Sequence, residues 1–429
     1  MKISKATALA KTGQVLDFPQ AGVDPVAMAV SLITRIEIRE FTFDVENIGV
    51  ESNSEDARKH GGGTPGGAVG YAPGQTATMT RYAVVIEASD GSSGEYVTHY
   101  VGTKSAHAQS LMLAPMLLGR DAEAREGLYD DMKRELRQYD HMGHGPLDIA
   151  LWDLAGKKYG TSVSRLLGGY RNRLPAYAST YHGDRNGGLD SKEAFAEFAL
   201  QCRQIGYRAY KIHGWHEGNA REEAACLSHV RGVVGDTMEL MVDYACELRT
   251  LADAIYVGHA CDDTKCFWYE DPFRDAGTSA HAHSILRQKI RTPLLQTEHI
   301  RGVEPKADFV LAGGTDFLRS DPEYDMGITG AMKIAHLAEA LGVDCEVHAP
   351  GPAHRAVMSA MRNANYYEVA LVGPDCPNAI PPVYACGYSD QIDCVDADGC
   401  VAVPEGPGLG VTYDWEFIEA NTTSLQTFS

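Results

Sequence analysis

Three acidic residues, Asp243, Glu270 and Glu298, recur at similar intervals in the second half of the chain. Each one ends a short apolar segment, and successive acids are about 30 residues apart, the length of one βα unit. Three carboxylates that meet in one cleft repel one another and raise their own pKa values unless a cation neutralises them. Oxygen ligands with room for water suit Mg²⁺ better than zinc, which prefers His and Cys. The spacing predicts a magnesium site, although any single acid could equally cap a helix or form a surface ion pair.

Further polar residues end the neighbouring apolar segments. Lys211 and His213 point the same way because side chains alternate along a strand. Asp321 and His348 end two later segments, and an Asp beside a His orients the imidazole and stabilises its cation, as a general acid or base requires. The chain has 16 histidines, and only its place in this order distinguishes His348 from the others. Glu368 lies near the last segment, where a surface acid is the simpler alternative.

Eight apolar segments, which alternate with longer helical patterns from residue 174 onward, carry these side chains. The predicted strands are residues 175–179, 207–212, 239–242, 266–269, 294–296, 316–320, 344–347 and 366–371. This alternation predicts parallel βα units closed into a barrel, with the active site at the C-terminal ends of the strands. An open doubly wound sheet is the competing fold. It has little support because no GxGxxG turn follows any strand.

The first part of the chain predicts a smaller α+β domain. Residues 33–43 alternate apolar and polar side chains, and residues 82–87 form another strand candidate before an Asp-Gly turn. Residues 61–74 are rich in Gly and Pro and are expected to form a loop, whereas residues 106–159 have helical patterns. We therefore expect an N-terminal extension (1–32), an α+β capping domain (33–165), a barrel (166–390) and a C-terminal tail (391–429) that returns to the cap.

Taken together, Lys211/His213, Asp243, Glu270, Glu298, Asp321 and His348 resemble the mandelate racemase subgroup of the enolase superfamily. The resemblance covers roughly residues 33–415 and includes ALWDLAGKKYGTSVSRLLGG (150–169), YEDP (269–272), GITGAMKIAHLAEALG (327–342) and VPEGPGLG (403–410). It implies an α/β fold, a modified TIM barrel of the form (β/α)₇β, with an α+β cap built from both chain ends. It also implies one Mg²⁺ bound by Asp243, Glu270 and Glu298, an Asp321–His348 catalytic dyad, and Glu368 as a hydrogen-bond partner of a substrate carboxylate oxygen.

One position departs from the family pattern. Most members of the subgroup carry Lys-x-Lys on the second barrel strand, whereas this chain has Lys211-Ile212-His213. His213 then takes the position of the base, and an imidazole with a reference pKa of about 6.5 needs less adjustment near neutral pH than a lysine at about 10.4. Alternatively, His213 forms only hydrogen bonds and the dyad performs all proton transfer.

These residues predict abstraction of a proton next to a carboxylate. Mg²⁺, Lys211 and a protonated Glu368 are expected to stabilise the resulting enediolate. By analogy with the subgroup, we expect elimination of water from a hydroxylated sugar acid to give a 2-keto-3-deoxy acid. A racemase or epimerase that uses His213 and His348 is the main alternative, and a catalytically silent binding protein is the other.

Composition limits the possible partners and compartment. The net charge of -20 disfavours nucleic acid, and no apolar run reaches the roughly 20 residues of a membrane span. Ten cysteines without a CxxC pair, and no signal-peptide layout, favour the cytoplasm. We expect a small carboxylic acid as the substrate, and the resemblance implies a homo-oligomer. Substrate specificity is expected to lie in the loop at about residues 46–74 and in Tyr181, His182, Trp215 and His216.

Overall fold

The computed structural model describes residues 30–50, 69–99, 104–183, 188–215, 217–374 and 380–429. They form two sheets with their covering helices. Of the predicted N-terminal extension, residues 1–29 lie outside the described part, as do most of the predicted Gly/Pro-rich loop and His216. No helix in the described part of the chain is long and apolar enough to cross a membrane.

The larger sheet is a parallel barrel whose eight strands alternate with seven helices. Its strands are β4 (Arg173–Thr180), β5 (Ala209–Ile212), β6 (Glu239–Asp243), β7 (Tyr269–Glu270), β8 (Leu294–Gln296), β9 (Phe317–Ser320), β10 (Asp344–Val347) and β11 (Tyr367–Val372). Hydrogen bonding runs from β4 through β10 in chain order, β11 pairs with β4, and β10 contacts β11. The predicted (β/α)₇β barrel is therefore confirmed.

The helices of the barrel follow the strands in sequence. They are α5 (Lys192–Ile205), α6 (Ala220–Val234), α7 (Leu251–Asp263), α8 (Ala280–Arg287), α9 (Val303–Leu311), α10 (Gly327–Leu341) and α11 (Pro352–Ala360), and a short 3₁₀ turn (Gly235–Thr237) follows α6. The side chains of Ser191, Asn219, Thr250 and Ser279 accept hydrogen bonds from first-turn amides of α5 to α8. These caps satisfy amides that the helix leaves free, so the sequence sets where each helix begins.

The smaller sheet is antiparallel and joins the two ends of the chain. It consists of β1 (Ile33–Val50), β2 (Val69–Ala88), β3 (Ser93–Val97) and β13 (Thr422–Phe428), in the order β13-β1-β2-β3. Helices α1 (Lys104–Leu117), α2 (Arg125–Glu135), α3 (Gly145–Lys158) and α4 (Val163–Leu166) follow this sheet in the chain. The tail also carries β12 (Cys400–Ala402), which pairs with β4, and α12 (Trp415–Ala420). The tail thus contacts both sheets.

Two local predictions were wrong. Residues 69–74, which we expected to belong to a loop, lie in β2, where Val69 and Gly70 pair with Val50 and Gly49 of β1. Strand pairing supplies their backbone hydrogen bonds and overrides the low strand propensity of glycine. The predicted strand at residues 266–269 is displaced, because only Tyr269 and Glu270 form β7.

The cap contacts the barrel beside the predicted catalytic residues. Glu323, two residues after Asp321, accepts hydrogen bonds from Tyr96 Oη (2.6 Å) and from the backbone amide of His99 (2.7 Å). All three residues are buried. Burying a carboxylate costs free energy unless hydrogen-bond donors satisfy it, which favours keeping both bonds. The two bonds hold the end of β3 against the loop after β9.

Candidate active site

Most of the predicted functional side chains lie at the C-terminal ends of barrel strands, whereas Lys211 and Glu368 lie within strands. Asp243 and Glu270 are the last residues of β6 and β7, and Glu298 follows β8 by two residues. In the same way His213 follows β5, Asp321 follows β9 and His348 follows β10. Lys211 lies within β5, and Glu368 is the second residue of β11, deeper in the barrel.

The three predicted metal ligands converge as expected. One oxygen from each of Asp243, Glu270 and Glu298 can be chosen so that all three lie within 4.8 Å of one another. The buried ammonium of Lys211 lies 3.3 Å from Asp243 Oδ2 and 2.9 Å from Glu270 Oε2. Burial would lower the pKa of Lys211, but Glu270 and Glu368 hold it well above its usual range. Lys211 is therefore held as a cation among these carboxylates.

His213 lies beside the first ligand. Its Nε2 is 3.2 Å from Asp243 Oδ2, and its backbone amide donates to Thr180 Oγ1. Its Nδ1 is buried and has no hydrogen-bond partner among the described residues. The ring of His182 packs edge-on against it, with 4.9 Å between ring centroids. His213 thus presents Nε2 to the triad and keeps Nδ1 without a partner among the described residues.

His348 and Asp321 form a close pair at the other end of the triad. His348 Nδ1 lies 2.6 Å from Asp321 Oδ2, and His348 Nε2 lies 3.3 Å from Glu298 Oε1. Burial would raise the pKa of Asp321, but His354 and His348 hold it well below its usual range. Burial would lower the pKa of His348, but Glu298 and Asp321 raise it. The pair therefore favours an imidazolium whose Nε2 proton faces Glu298 Oε1.

Arg319, which we did not predict, is central to the site. This buried residue of β9 places Nε 2.9 Å from Glu270 Oε1 and Nη2 2.6 Å from Glu368 Oε2. A sequence signal was available, since Arg319 and Asp321 are two residues apart and project to the same side of a strand. An arginine buried within a strand needs an anion beside it.

Glu368 differs from the expectation of a protonated hydrogen-bond donor. Its Oε1 lies 3.0 Å from Lys211 Nζ, and its Oε2 accepts from Arg319 and from the backbone amide of Ala349. Burial would raise the pKa of Glu368, but Lys211 and Arg319 hold it well below its usual range. These contacts favour the ionised form of Glu368, which lies between the cationic side chains of Lys211 and Arg319.

The charge balance of this cleft fits a divalent cation. Counted with all four carboxylates ionised and the histidines neutral, the cleft has a formal charge of two negatives, which a divalent cation would neutralise. The groups counted are Asp243, Glu270, Glu298, Glu368, Lys211 and Arg319. Burial raises the pKa of Glu270 to about 8, and the charges of Asp243 and Glu298 add to this shift. An oxygen-only ligand set with this charge suits Mg²⁺.

Two family models match the chain. Residues 194–417 match the enolase C-terminal domain-like family, and residues 69–168 match the N-terminal domain of mandelate racemase and muconate lactonizing enzyme. The chain belongs to the enolase superfamily, in its mandelate racemase subgroup. The resemblance inferred from the strand-end residues is thereby confirmed.

Among curated members of the superfamily, the 3,6-anhydro-alpha-L-galactonate cycloisomerase of Streptomyces coelicolor is 28% identical over 344 residues, which are 78% of this chain and 89% of that protein. The arabinonate dehydratase of Saccharolobus solfataricus is 25% identical and aligns over 78% of this chain and 88% of its own. Both relatives are named for sugar-acid reactions. The family match indicates that this chain, too, is an enzyme.

The fold of the chain matches a solved enzyme structure. D-glucarate dehydratase from Agrobacterium tumefaciens, complexed with magnesium, superposes with a TM-score of 0.79 and 27% identity over 92% of this chain and 100% of that one. Together with the carboxylate cluster, this supports the magnesium cofactor predicted from the sequence.

Within this enolase-superfamily site, His354 is a second residue that we did not predict. It is fully buried on α11, and its Nε2 lies 3.1 Å from Asp321 Oδ1. Because an ionised carboxylate only accepts hydrogen bonds, His354 donates to the oxygen that His348 does not use. No sequence pattern distinguished it from the other histidines.

Of the residues predicted to set specificity, Trp215 lies in the core and His182 lies beside His213. Tyr181 and Trp215 are buried, and Trp215 Nε1 donates to the carbonyl of Leu189, so the indole belongs to the core. His182 remains beside His213, and its Nδ1 lies 3.0 Å from the backbone carbonyl of that residue. Tyr324 packs on the other catalytic candidate, with 5.2 Å between its ring centroid and that of His348.

Proposed function

We propose that this protein is an acid-sugar dehydratase that removes the proton α to a carboxylate and eliminates a β-hydroxyl as water. The observation that carries the proposal is a carboxylate triad with a histidine at each end, His213 at Asp243 and His348 at Glu298. This arrangement provides one group to accept a proton and another to donate one. The sugar-acid relatives support the substrate class.

Asp243, Glu270 and Glu298 would hold the magnesium ion. When bound, Mg²⁺ supplies positive charge that stabilises a substrate carboxylate as it takes on a second negative charge. Lys211 lies against two of these three carboxylates and adds a second positive charge at the same edge of the cleft. Because Lys211 is fully buried, water screens its charge little, which strengthens its effect on the developing anion.

His213 is the proposed base. It takes the α-proton on a ring nitrogen as the Cα–H bond breaks, and the electron pair moves into the substrate carboxylate to form an enediolate. Its neighbours suit this role: His182 packs on one side, and the amide of His213 is anchored to Thr180. A general base of this kind contributes about 10²- to 10⁴-fold to a rate.

His348 is the proposed acid. Its Nδ1 donates to Asp321, so Nε2 carries the proton that is delivered. As the Cβ–O bond breaks, that proton joins the departing hydroxyl to make water, and the enol product tautomerises to a 2-keto-3-deoxy acid. The buried Asp321 holds the ring orientation and favours its cation before the transfer.

Racemisation or epimerisation is the second candidate, because the same two histidines lie at the two ends of the carboxylate triad. If His348 returned its proton to the α-carbon, the stereocentre would invert and no water would leave. This reaction would need the same oxygen-only metal ligands and a substrate that has no β-leaving group. The two reactions differ only in the atom that receives the proton from His348 Nε2.

Proton NMR of the purified protein in D₂O with Mg²⁺ separates these reactions. We would screen mono- and diacid sugars with wild type, His213→Ala, His348→Ala and, as a matched control, His281→Ala at an exposed position. A dehydratase converts one sugar acid to a keto-deoxy product, whereas an epimerase exchanges the α-proton without losing water. We expect His348→Ala to retain exchange and His213→Ala to lose it.

The opposite pattern, exchange in His213→Ala and none in His348→Ala, would reverse the assigned roles. If wild type catalyses neither exchange nor elimination with any acid while still binding Mg²⁺, the binding-protein alternative replaces the proposed enzyme.

A further inference from the structure

A second group of possible ligands lies next to the carboxylate triad. Cys246, Asp271 and His299 each offer one atom, and these three atoms all lie within 4.8 Å of one another. Each of the three follows one triad member in the chain: Cys246 is three residues after Asp243, and the other two directly follow Glu270 and Glu298. The group is therefore held by the same three strand ends, β6, β7 and β8.

Backbone contacts hold these residues together independently of their side chains. The amide of Cys246 donates to the carbonyl of Asp271 at 2.7 Å, and the amide of Leu248 donates to the carbonyl of Pro272 at 3.0 Å. Leu248 also forms a parallel bridge with Phe273. The loop after β6 thus continues to pair with the loop after β7, which fixes the separation of the thiol and the carboxylate.

The carboxylate of Asp271 is only half satisfied. Its Oδ2 lies 3.1 Å from His299 Nε2, but its Oδ1 is buried and has no hydrogen-bond partner among the described residues. Asp271 is 1% exposed. Burying an unpaired carboxylate oxygen costs free energy, and a bound ligand would offset that cost. A Cβ at Gly277 would lie 3.0 Å from that oxygen and 3.3 Å from His299 Cδ2, so glycine keeps this side of the group open.

We infer that Cys246, Asp271 and His299 form a second divalent-metal site, which takes Zn²⁺ and not Mg²⁺. One sulfur, one nitrogen and one oxygen donor are the ligand types that zinc combines in tetrahedral sites, and a water completes the fourth position. Magnesium prefers oxygen donors only, so the triad and this group select different ions. The exposed ring of His299 gives an ion a route from solvent.

Cobalt(II) is the probe, since it replaces zinc and its bond to a thiolate absorbs in the near ultraviolet, whereas bonds to carboxylates do not. We would titrate Co²⁺ into the full-length protein with Mg²⁺ in excess, so that the triad is filled. Wild type is expected to develop a thiolate charge-transfer band that saturates at one Co²⁺ per chain. Zn²⁺ is expected to abolish the band by competition.

Variants assign the band to this group. Cys246→Ser should remove the band, while Cys386→Ser, at an exposed cysteine elsewhere, should keep it. His299→Ala should weaken Zn²⁺ binding by about tenfold or more, since even supporting groups of metal sites have effects of that size. His299 is 37% exposed, so its removal leaves the core intact and the variant remains testable.

The competing explanation is an Asp271–His299 ion pair with the cysteine as a bystander. In that case wild type gives no thiolate band, or the band persists in Cys246→Ser, and either result overturns the second site. A thermal shift provides an independent readout: Zn²⁺ should raise the Tm of Mg²⁺-saturated wild type and of Cys386→Ser, but not that of Cys246→Ser.

Discussion

Asp321 is held between two histidines, and His354 Nε2 lies 3.1 Å from the oxygen that His348 leaves free. The backbone amide of Glu323 also donates to that oxygen, at 2.6 Å. The carboxylate is therefore fixed from both sides next to the ring of the proposed acid. This places His354 as a positioning residue behind the proposed acid.

Asp321→Asn should lower kcat by about 10²- to 10⁴-fold, because the amide keeps the shape of the carboxylate but not its charge. His354→Phe should cost less, since backbone amides still hold the carboxylate of Asp321. Steady-state kinetics on the substrate found by NMR measures both variants, and circular dichroism checks their folding. Equal losses in the two variants would contradict a purely positioning role for His354.

Mg²⁺ should stabilise the folded protein through the triad. At about 100 times its dissociation constant, an ion that binds only the folded state adds about 2.7 kcal/mol to the free energy of unfolding. We expect Tm to rise with Mg²⁺ concentration and to fall again with a chelator. Glu298→Gln should remove most of this dependence, because one of the three carboxylates loses its charge.

Glu304→Gln is the matched control for the metal experiment, because Glu304 is an exposed glutamate whose partner is Lys133. Its Tm should still respond to Mg²⁺ as in wild type. A response that persists undiminished in Glu298→Gln as well would show that Mg²⁺ acts through general screening and not through the triad.

Arg319→Met should destabilise the protein by about 3 to 5 kcal/mol, the cost of leaving a buried charge without its partner. Glu270 and Glu368 both rely on this fully buried guanidinium. Urea unfolding at neutral pH measures the change. The double variant Arg319→Met/Glu368→Gln should recover part of the loss, and no recovery would mean that the side chain acts through packing alone.

His144 should make the protein sensitive to acid. Burial lowers the pKa of His144 to about 3, and neither ring nitrogen has a hydrogen-bond partner among the described residues. Between the unfolded pKa of about 6.5 and that value, the unfolded chain binds a proton that the folded chain does not, so stability falls as the pH falls through this window.

His144→Phe should therefore reduce the slope of unfolding free energy against pH below about 6.5 by up to about one proton. Its ring packs 5.2 Å from that of Tyr129, a setting that accepts an apolar aromatic side chain. Denaturant unfolding at several pH values measures the slope, with His259→Gln at a surface position as the control. Identical slopes in wild type and His144→Phe would show that another group controls the acid response.

The residues at the strand ends were predictable from the sequence because a parallel barrel imposes a repeat. Each βα unit returns the chain to the same edge, so the acids that end β6 and β7 must meet whatever the details of packing. The alternation of side chains along a strand then assigns Lys211 and His213 to one side. Both rules, the repeat of βα units and the alternation of side chains, can be applied from the local order of residues along the chain.

Contacts between distant parts of the chain required the tertiary structure. Arg319 and Glu368 lie on β9 and β11, and only closure of the barrel brings the guanidinium to this carboxylate and sets its ionised state. The same holds for His354. It lies on α11, after β10 and His348, and only the folded chain brings it to Asp321.

Local composition also failed to predict the start of β2. This segment contains glycine, and pairing with β1 stabilises it as a strand. The sequence by itself therefore determined which chemical groups face the cleft, because strand repeat and alternation are local. Only the tertiary structure decided which of those groups touch and which charge each one carries, because burial and pairing depend on residues far apart in the chain.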